Sequence, residues 1–386
     1  MTKKVVFVHD TNEFGGIELF MLLLVKYYDR DRFEPMVMVP GYKDPFRSSP
    51  EKFIDLVEEM KIPMLRPSDP GVVPGISFLK DVFNIRRAFK EAGADIVHIH
   101  TPNPHRTLRI TLAARLAGLP LIRSEHLPPS FWEIGSWKVK IGSKINEFLS
   151  NKIVPGSDAC YEEQLNLINR DPKKVTRSCY GIELDRFNPN HDLRAAKQKL
   201  GFDPDVPVVG NIARLSPEKG QKYLIDAAAI VIREFGPVNF IIVGSGELLE
   251  ELQAQSKGLG IDGYVHFLGF QKDTVPFMEA MDVTVMSSLN EGVSLAMLEF
   301  MAMGKPLVSS NEPSFTETVV DGESALLVDM KDSNALADGI LCLLKDKALA
   351  KRLGKEALRT VHAEFSIVKS AQEQMALYDS VLGISS

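Results

Sequence analysis

Unbroken apolar runs of only a few residues, each followed by a turn and usually by a longer amphipathic stretch, recur along this chain, and the series restarts midway. Strands that are apolar throughout are buried on both faces, as in a parallel sheet covered by helices. The first series of strands is predicted at 5–8 (Val-Val-Phe-Val), 36–39, 96–99, 121–123 and 152–154. A turn at 12–16 and helices at 19–28, 78–92 and 106–117 lie between them. After a polar, proline-bearing stretch at 185–189 and a charged helix at 193–200, the second series follows at 206–213, 240–243, 264–268, 283–286, 306–309 and 325–328. The fold class is therefore α/β, with two doubly wound domains facing one another across a cleft. We place them at 1–188 and 189–365, and expect the last segment, 366–386 with its helix at 367–382, to pack back on the first. No repeat of solenoid length stands out.

At 386 residues the chain can support two domains with real cores. Its 45 Lys and Arg against 51 Asp and Glu leave a net charge of −6, which argues against a general nucleic-acid binder. Cys160, Cys179 and Cys342 are far apart and form no metal or redox pair, so a reducing compartment is expected. The longest apolar runs, such as 19–25, fall well short of a bilayer span. Asp10 follows Lys3 and Lys4 too closely for a secretory leader. These features lead us to expect a soluble, cytoplasmic protein.

Open parallel sheets bind ligands beyond the carboxyl ends of their strands. In the second series one such segment is 210–220, Gly-Asn-Ile-Ala-Arg-Leu-Ser-Pro-Glu-Lys-Gly. Ser216 reads as an N-cap and Pro217 as the first position of a helix whose apolar face is Tyr223, Ala227, Val231 and Phe235. Lys219 would then sit in the first turn, where the helix dipole disfavours a cation unless an anion is bound there, with Arg214 as a second positive partner. Ordinary surface ion pairing explains the two cations about as well. Another segment holds Glu291 and Glu299. Glu299 is the only charge between Gly292 and Gly304, and a buried carboxylate needs a partner, either an arginine or the paired hydroxyls of a ribose. Backbone N–H groups of Gly292, Val293, Ser294 and Leu295 could hold a phosphate. A third segment, Val243-Gly244-Ser245-Gly246-Glu247, starts like a dinucleotide fingerprint but has Leu249 where the last glycine belongs, so an ordinary strand-to-helix turn fits equally.

Together these pieces resemble the retaining family 4 glycosyltransferases, which have the GT-B fold of two Rossmann-like domains. The likeness rests on Gly15-Gly16, Glu125-His126, Tyr180-Gly181-Ile182-Glu183 with Phe187, Arg214 to Lys219-Gly220, Gly244-Ser245-Gly246, and Glu291/Glu299 with Met301-Ala302-Met303-Gly304-Lys305-Pro306. It implies that Arg214 and Lys219 neutralise the donor diphosphate, that Glu299 holds the ribose and that Glu291 contacts the donor sugar. It further implies that Gly15 and Gly16 approach the diphosphate from the first domain, and that His126 lies beside the reacting sugar. Two departures stand out. Tyr180 and Glu183 replace the Asn and Asp usual before the linker, and Asn311-Glu312-Pro313-Ser314-Phe315 replaces a glycine-rich turn.

His98 and His100 share a strand end, with His105 and His126 as potential neighbours. No acid joins them at ligand spacing, and the resembled family is metal-independent, so no metal and no cofactor are expected. Asp29-Arg30-Asp31 and Asp203-Pro204-Asp205 read as solvated turns. Between 101 and 152 eight basic residues (Arg106, Arg109, Arg115, Arg123, Lys138, Lys140, Lys144, Lys152) outnumber Glu125, Glu133 and Glu147, with Phe131, Trp132 and Trp137 interleaved. This region is a candidate surface for an anionic acceptor or an anionic membrane, beside the plainer reading of a solvated basic face. The expected activity is transfer of a sugar from a UDP- or GDP-linked donor to a hydroxyl of a carbohydrate or lipid-linked acceptor, in glycan, glycolipid or cell-surface polysaccharide synthesis. The alternatives are a nucleotide-sugar epimerase of the same fold, a nicotinamide-dependent oxidoreductase and a non-enzymatic nucleotide-sugar-binding protein.

Overall fold

The computed structural model describes residues 2–9, 15–38, 51–67, 77–103, 105–131, 136–178 and 180–384. Most of the turn expected at 12–16, the end of the strand expected at 36–39, and Cys179, Trp132 and Glu133 lie outside the described residues. The chain divides into two compact units, one of Met1–Gly181 with Ile367–Ser386 and one of Ile182–Ser366.

The first unit is built on a sheet of β1 (Lys3–His9), β2 (Phe33–Met38), β3 (Met64–Leu65), β4 (Ile96–Thr101), β5 (Leu121–Glu125) and β6 (Lys152–Pro155). Its order is β3-β2-β1-β4-β5-β6, and every pairing is parallel. Val5, Val6, Phe7 and Val8 have no exposed surface, as a central strand covered on both faces requires. The edge strand β3 escaped the sequence pattern because it is two residues long and only partly buried.

The last helix, Ile367–Leu382, lies in this unit. Ile367, Ala371, Met375 and Tyr378 are its buried spine. The wholly buried Tyr378 hydroxyl meets Tyr28 Oη at 2.8 Å and His98 Nδ1 at 2.6 Å, and Asp379 accepts from Arg32 at 2.5 Å. A buried phenol must find such partners, and these two draw the helix onto β4 and the segment after the first helix.

The second unit repeats the plan with β7 (Val208–Ile212), β8 (Asn239–Val243), β9 (Val265–Gly269), β10 (Val283–Met286), β11 (Leu307–Ser310) and β12 (Leu326–Val328). The order β12-β11-β10-β7-β8-β9 is again wholly parallel. Its core joins Val209, Phe240, Ile242, Val283, Val285 and Val308 of the sheet to Leu224, Ala228 and Val231 of helix Gln221–Phe235 and to Leu336, Ile340 and Leu344 of helix Ser333–Lys345. The winding reverses between β1 and β4 in the first sheet and between β7 and β10 in the second. Those reversals open crevices at the carboxyl ends, where ligands of such sheets lie.

Candidate active site

In the second unit the chain leaves β7 through the exposed Arg214 and reaches Ser216. The long helix expected from there starts five residues later. Pro217–Lys219 is a single 3₁₀ turn, Gly220 follows in the left-handed region at φ 63°, and the α-helix runs Gln221–Phe235. The cause is the neighbouring loop. A side chain at position 220 would put Cβ 2.2 Å from the Ser287 carbonyl oxygen, so only glycine fits. The same loop is tied down by Leu289 N–H donating to Glu218 O at 2.7 Å and Ser287 Oγ donating to Lys219 O at 2.9 Å. The helix rotates accordingly: Leu224, Ile225, Ala227, Ala228 and Val231 are its buried face, while Phe235 is 36% exposed. Lys219 thus belongs to the turn bridging β7 and β10 and not to the first turn of the long helix.

That turn aims Lys219 at the loop after β10. Its ammonium lies 2.6 Å from Glu291 Oε1, which also accepts from Ser288 Oγ at 2.9 Å. Glu291 N–H in turn donates to Glu312 Oε1 at 3.3 Å. Glu312 is itself buried, capped by the Ser314 N–H at 2.9 Å and the Ser314 hydroxyl. Burial pushes the Glu312 carboxyl above its ordinary range, and the neighbouring Glu291 charge pushes the same way against the Ser314 hydrogen bonds.

Gly292, Val293 and Ser294 lead into helix Leu295–Ala302, whose N-cap Ser294 accepts from the Met297 N–H at 3.4 Å. Four residues into the helix, Glu299 is buried among Leu298, Phe300, Met301 and Ala302. Burial raises its carboxyl to about 7, opposed by the Arg186 charge and a hydrogen bond from Thr274. The arginine that sequence reasoning offered as a partner is present, yet the Arg186 guanidinium bonds Asp273 at 2.8 Å. Glu299 is thus held by one hydroxyl and a nearby charge, and this carboxylate would gain from hydroxyl donors.

Gly244 and Gly246 have a packing reason of their own. A Cβ at either position would lie 1.9 Å from Ala213 O or 2.2 Å from Leu215 O. Between these contacts Leu215 N–H donates to Ser245 O at 3.1 Å. The glycines let the loop after β8 lie flat on the loop carrying Arg214.

In the first unit, helix Gly16–Lys26 starts three residues before the expected Leu19. The Glu18 carboxylate reaches back to accept from the Gly15 N–H at 2.6 Å and pairs with His9 at the end of β1. Burial raises that carboxyl, but the His9 charge and the hydrogen bonds outweigh it and leave it below its ordinary range. Gly15 is in extended backbone that any residue adopts, and Gly16 is exposed. His126 follows β5, 3% exposed, its Nε2 3.1 Å from His100 Nδ1 and its ring packed edge-on against Phe20 and Tyr180. Among the described residues His126 Nδ1 has no hydrogen-bond partner. Burial drives His126 down to about 3, so the imidazole is neutral across the physiological range.

Comparison with known proteins decides what this pair of crevices belongs to. Residues 192–360 match the family described as glycosyl transferases group 1, and residues 14–186 match glycosyltransferase family 4. The chain belongs to glycosyltransferase family 4. It is 27% identical to the phosphatidyl-myo-inositol mannosyltransferase of Mycobacterium leprae, over 95% of this chain and 93% of that protein. It is also 27% identical to the UDP-Gal:alpha-D-GlcNAc-diphosphoundecaprenol alpha-1,3-galactosyltransferase of Escherichia coli, over 80% and 82% of the two chains. The crystal structure of Anabaena Alr3699/HepE in complex with UDP-glucose superposes with a TM-score of 0.82 at 24% identity, covering 98% of this chain and 99% of that one. Each unit of the glycosyltransferase has the Rossmann-like architecture that the GT-B class pairs.

Several motif residues of the glycosyltransferase turn out to serve the fold. Lys305 is buried, donating to the carbonyls of Glu279 and Met281 at 3.0 and 2.8 Å, and burial lowers its ammonium to about 7. Glu125 is buried between Arg123 at 3.2 Å and Arg170 at 3.0 Å. Arg123, counted in the basic patch from sequence, is wholly buried by that pairing and adds nothing to the surface. His98 bonds Tyr378 and Ser124, and His100 bonds His126. Among the described residues no group of three or more His, Cys, Asp or Glu could hold a metal ion. Sequence reasoning missed two residues: Glu18, whose signal was the Gly-x-x-Glu spacing of a capping box, and Glu312, which had none.

Proposed function

We propose that this glycosyltransferase moves a hexose from a UDP- or GDP-linked donor to a hydroxyl of a lipid-linked or carbohydrate acceptor, with retention at the anomeric carbon, in glycolipid or polysaccharide synthesis. The observation that carries the reading is the Lys219–Glu291 pair at the winding reversal of the second sheet, with Arg214 on the loop that leads to Lys219 and the buried carboxylate of Glu299 on the helix that follows Glu291. When the bond to the leaving diphosphate breaks, negative charge grows on its oxygens and the sugar becomes cation-like. Fixed cations aimed at that charge lower the barrier most. Arg214 and Lys219 take this part, and the backbone N–H groups of Gly292, Val293, Ser294 and Leu295 hold a phosphate. Glu299 receives the two ribose hydroxyls, and Glu291, drawn toward Lys219, faces the sugar. Gly244 and Gly246 bring the loop after β8 flat against the loop carrying Arg214, so that its backbone borders the donor.

The reaction needs no resident metal in this scheme, because the charge a divalent ion would neutralise falls on the two cations. The likeness to the mannosyl- and galactosyltransferases supports a hexose donor and a lipid-linked acceptor. The E. coli relative's name gives UDP-Gal as its donor. Acceptor attack from the leaving-group face, with the departing phosphate taking the acceptor proton, accounts for retention without a nucleophilic carboxylate. We put this chemistry at an anionic membrane surface on the cytoplasmic side, a reading that the basic 101–152 region supports. None of the described helices is long and apolar enough to cross a membrane.

A thermal-shift panel of UDP-, GDP- and ADP-sugars tests the donor. A ligand at 100 times its dissociation constant adds about 2.7 kcal/mol of stability. A shift with UDP- or GDP-sugars that disappears in Lys219→Ala supports the reading, and no shift with any of the three overturns it. Donor turnover without an acceptor would favour the epimerase alternative.

A further inference from the structure

Helix Trp137–Leu149 of the first unit is turned inside out. Its buried side chains are Val139, Ser143, Asn146 and Glu147, three of them polar. Trp137, Ile141, Ile145 and Phe148 are instead 66%, 50%, 37% and 79% exposed. Steps of four, four and three residues place these on one stripe along the outer face. The orientation is held firmly. Asn146 Nδ2 donates to Arg106 O at 2.9 Å, and Glu147 accepts from the Asp171 N–H at 2.7 Å. Lys174 Nζ donates to the carbonyls of Glu147, Phe148 and Ser150 at 2.7, 3.1 and 3.0 Å, closing the helix end. The fold thus uses polar contacts to keep an aromatic and isoleucine stripe in water, which is the reverse of what a soluble helix does.

Charge identifies the partner. Lys138, Lys140 and Lys144 are exposed along the edges of the stripe, and the helix's single acid, Glu147, is turned inward against Lys144. Lys138 Nζ lies 5.9 Å from the Trp137 ring, and Lys174 Nζ 6.0 Å from that of Phe148. A second copy docked face to face would set lysines against lysines with no acid between them. An apolar stripe edged by cations matches a surface of apolar tails beneath anionic headgroups. We propose that this face seats the protein on an anionic lipid bilayer, Trp137, Ile141, Ile145 and Phe148 entering the interfacial layer and the lysines lying among the headgroup phosphates. The proposal rests on the membrane-side position put forward above and gives it one helix.

Cosedimentation with vesicles of phosphatidylcholine, with and without phosphatidylglycerol, tests it. The wild type pellets with the phosphatidylglycerol vesicles at low salt and is released by high salt. The double variant Lys138→Gln/Lys140→Gln binds them about 30-fold more weakly, and Phe148→Ser about tenfold. All three residues are exposed, so the variants keep the wild-type circular dichroism. Nucleotide-sugar thermal shifts on the same variants separate the two readings: an unchanged shift with lost vesicle binding supports the membrane face. A wild type that ignores phosphatidylglycerol, variants that bind like the wild type, or a dimer that Phe148→Ser dissociates would each overturn the membrane face while leaving the donor reading standing.

Discussion

At the carboxyl end of β10 the second unit sets an ammonium 2.6 Å from the Glu291 carboxylate, with Glu312 bonded to the Glu291 N–H and Glu299 in the helix that follows. At the carboxyl ends of β4 and β5 the first unit sets imidazoles against one another, with His98 and His126 both lowered by burial to about 3. Both crevices are formed by the same winding reversal, so topology supplies the place and side chains supply the chemistry. One end is equipped to meet a large change of charge. The other, beside the Glu18–His9 pair at the end of β1, offers imidazoles that stay neutral during a reaction near neutrality, which suits holding an uncharged sugar or an acceptor hydroxyl.

Substitutions on either side test that contrast. Lys219→Ala has the largest expected effect, a loss of about 10²- to 10³-fold in transfer rate, since the proposed scheme sets this fixed charge against the leaving diphosphate. Steady-state kinetics check it, and near wild-type turnover would dissolve the charged half of the comparison. Glu299→Gln comes next and pulls stability against function. The folded carboxyl, at about 7, lies above its ordinary 4.5, so the fold favours the neutral form. That contribution is complete below about pH 4.5 and is lost as pH rises through 7. The amide variant therefore gains up to about 3 kcal/mol over the unliganded wild type at pH 8 and almost nothing at pH 4. Chemical denaturation at the two pH values measures this. In the proposed scheme the ionised form accepts the ribose hydroxyls, so wild-type donor affinity is expected to rise between pH 6 and 8, and the variant to show no such rise. Calorimetric titration reads both.

His126→Asn is the smallest, with transfer reduced about tenfold. Because His126 stays neutral far above its folded value of about 3, the pH–rate profile between 5.5 and 8 keeps its shape in the variant. A limb that disappears with His126 would show that this imidazole titrates in the reaction after all. Gly220→Ala sharpens the comparison from the structural side. It forces Cβ toward the Ser287 carbonyl and destabilises the second unit, whereas Gly201→Ala, at φ 81° with nothing within 4 Å, costs about 1 kcal/mol in the same denaturation assay.

The two helices read least well from sequence show why some of the molecule was not legible. The start of helix Gln221–Phe235 looked settled by Ser216 and Pro217, a sound local signal that Gly220 and the loop after β10 override. Helix Trp137–Leu149 carries a regular apolar stripe, and a stripe says nothing about which way it faces. Glu299 stood out because one acid in an apolar helix is conspicuous from sequence alone, whereas Glu312 matters only through the Glu291 N–H that it receives from a segment 21 residues away.

By itself the sequence determined the alternation of strands and helices, its repetition in two series, and the residues standing just after strands, because periodicity and turn chemistry act within a few residues. Only the tertiary structure decided strand order, the helix Ile367–Leu382 settling on the first sheet through Tyr378, and the withdrawal of Arg123, Glu125 and Lys305 into ion pairs and carbonyl caps. It also decided that Lys219 meets Glu291. These outcomes depend on contacts between residues far apart in the chain, where desolvation and geometry choose among partners that composition leaves equal.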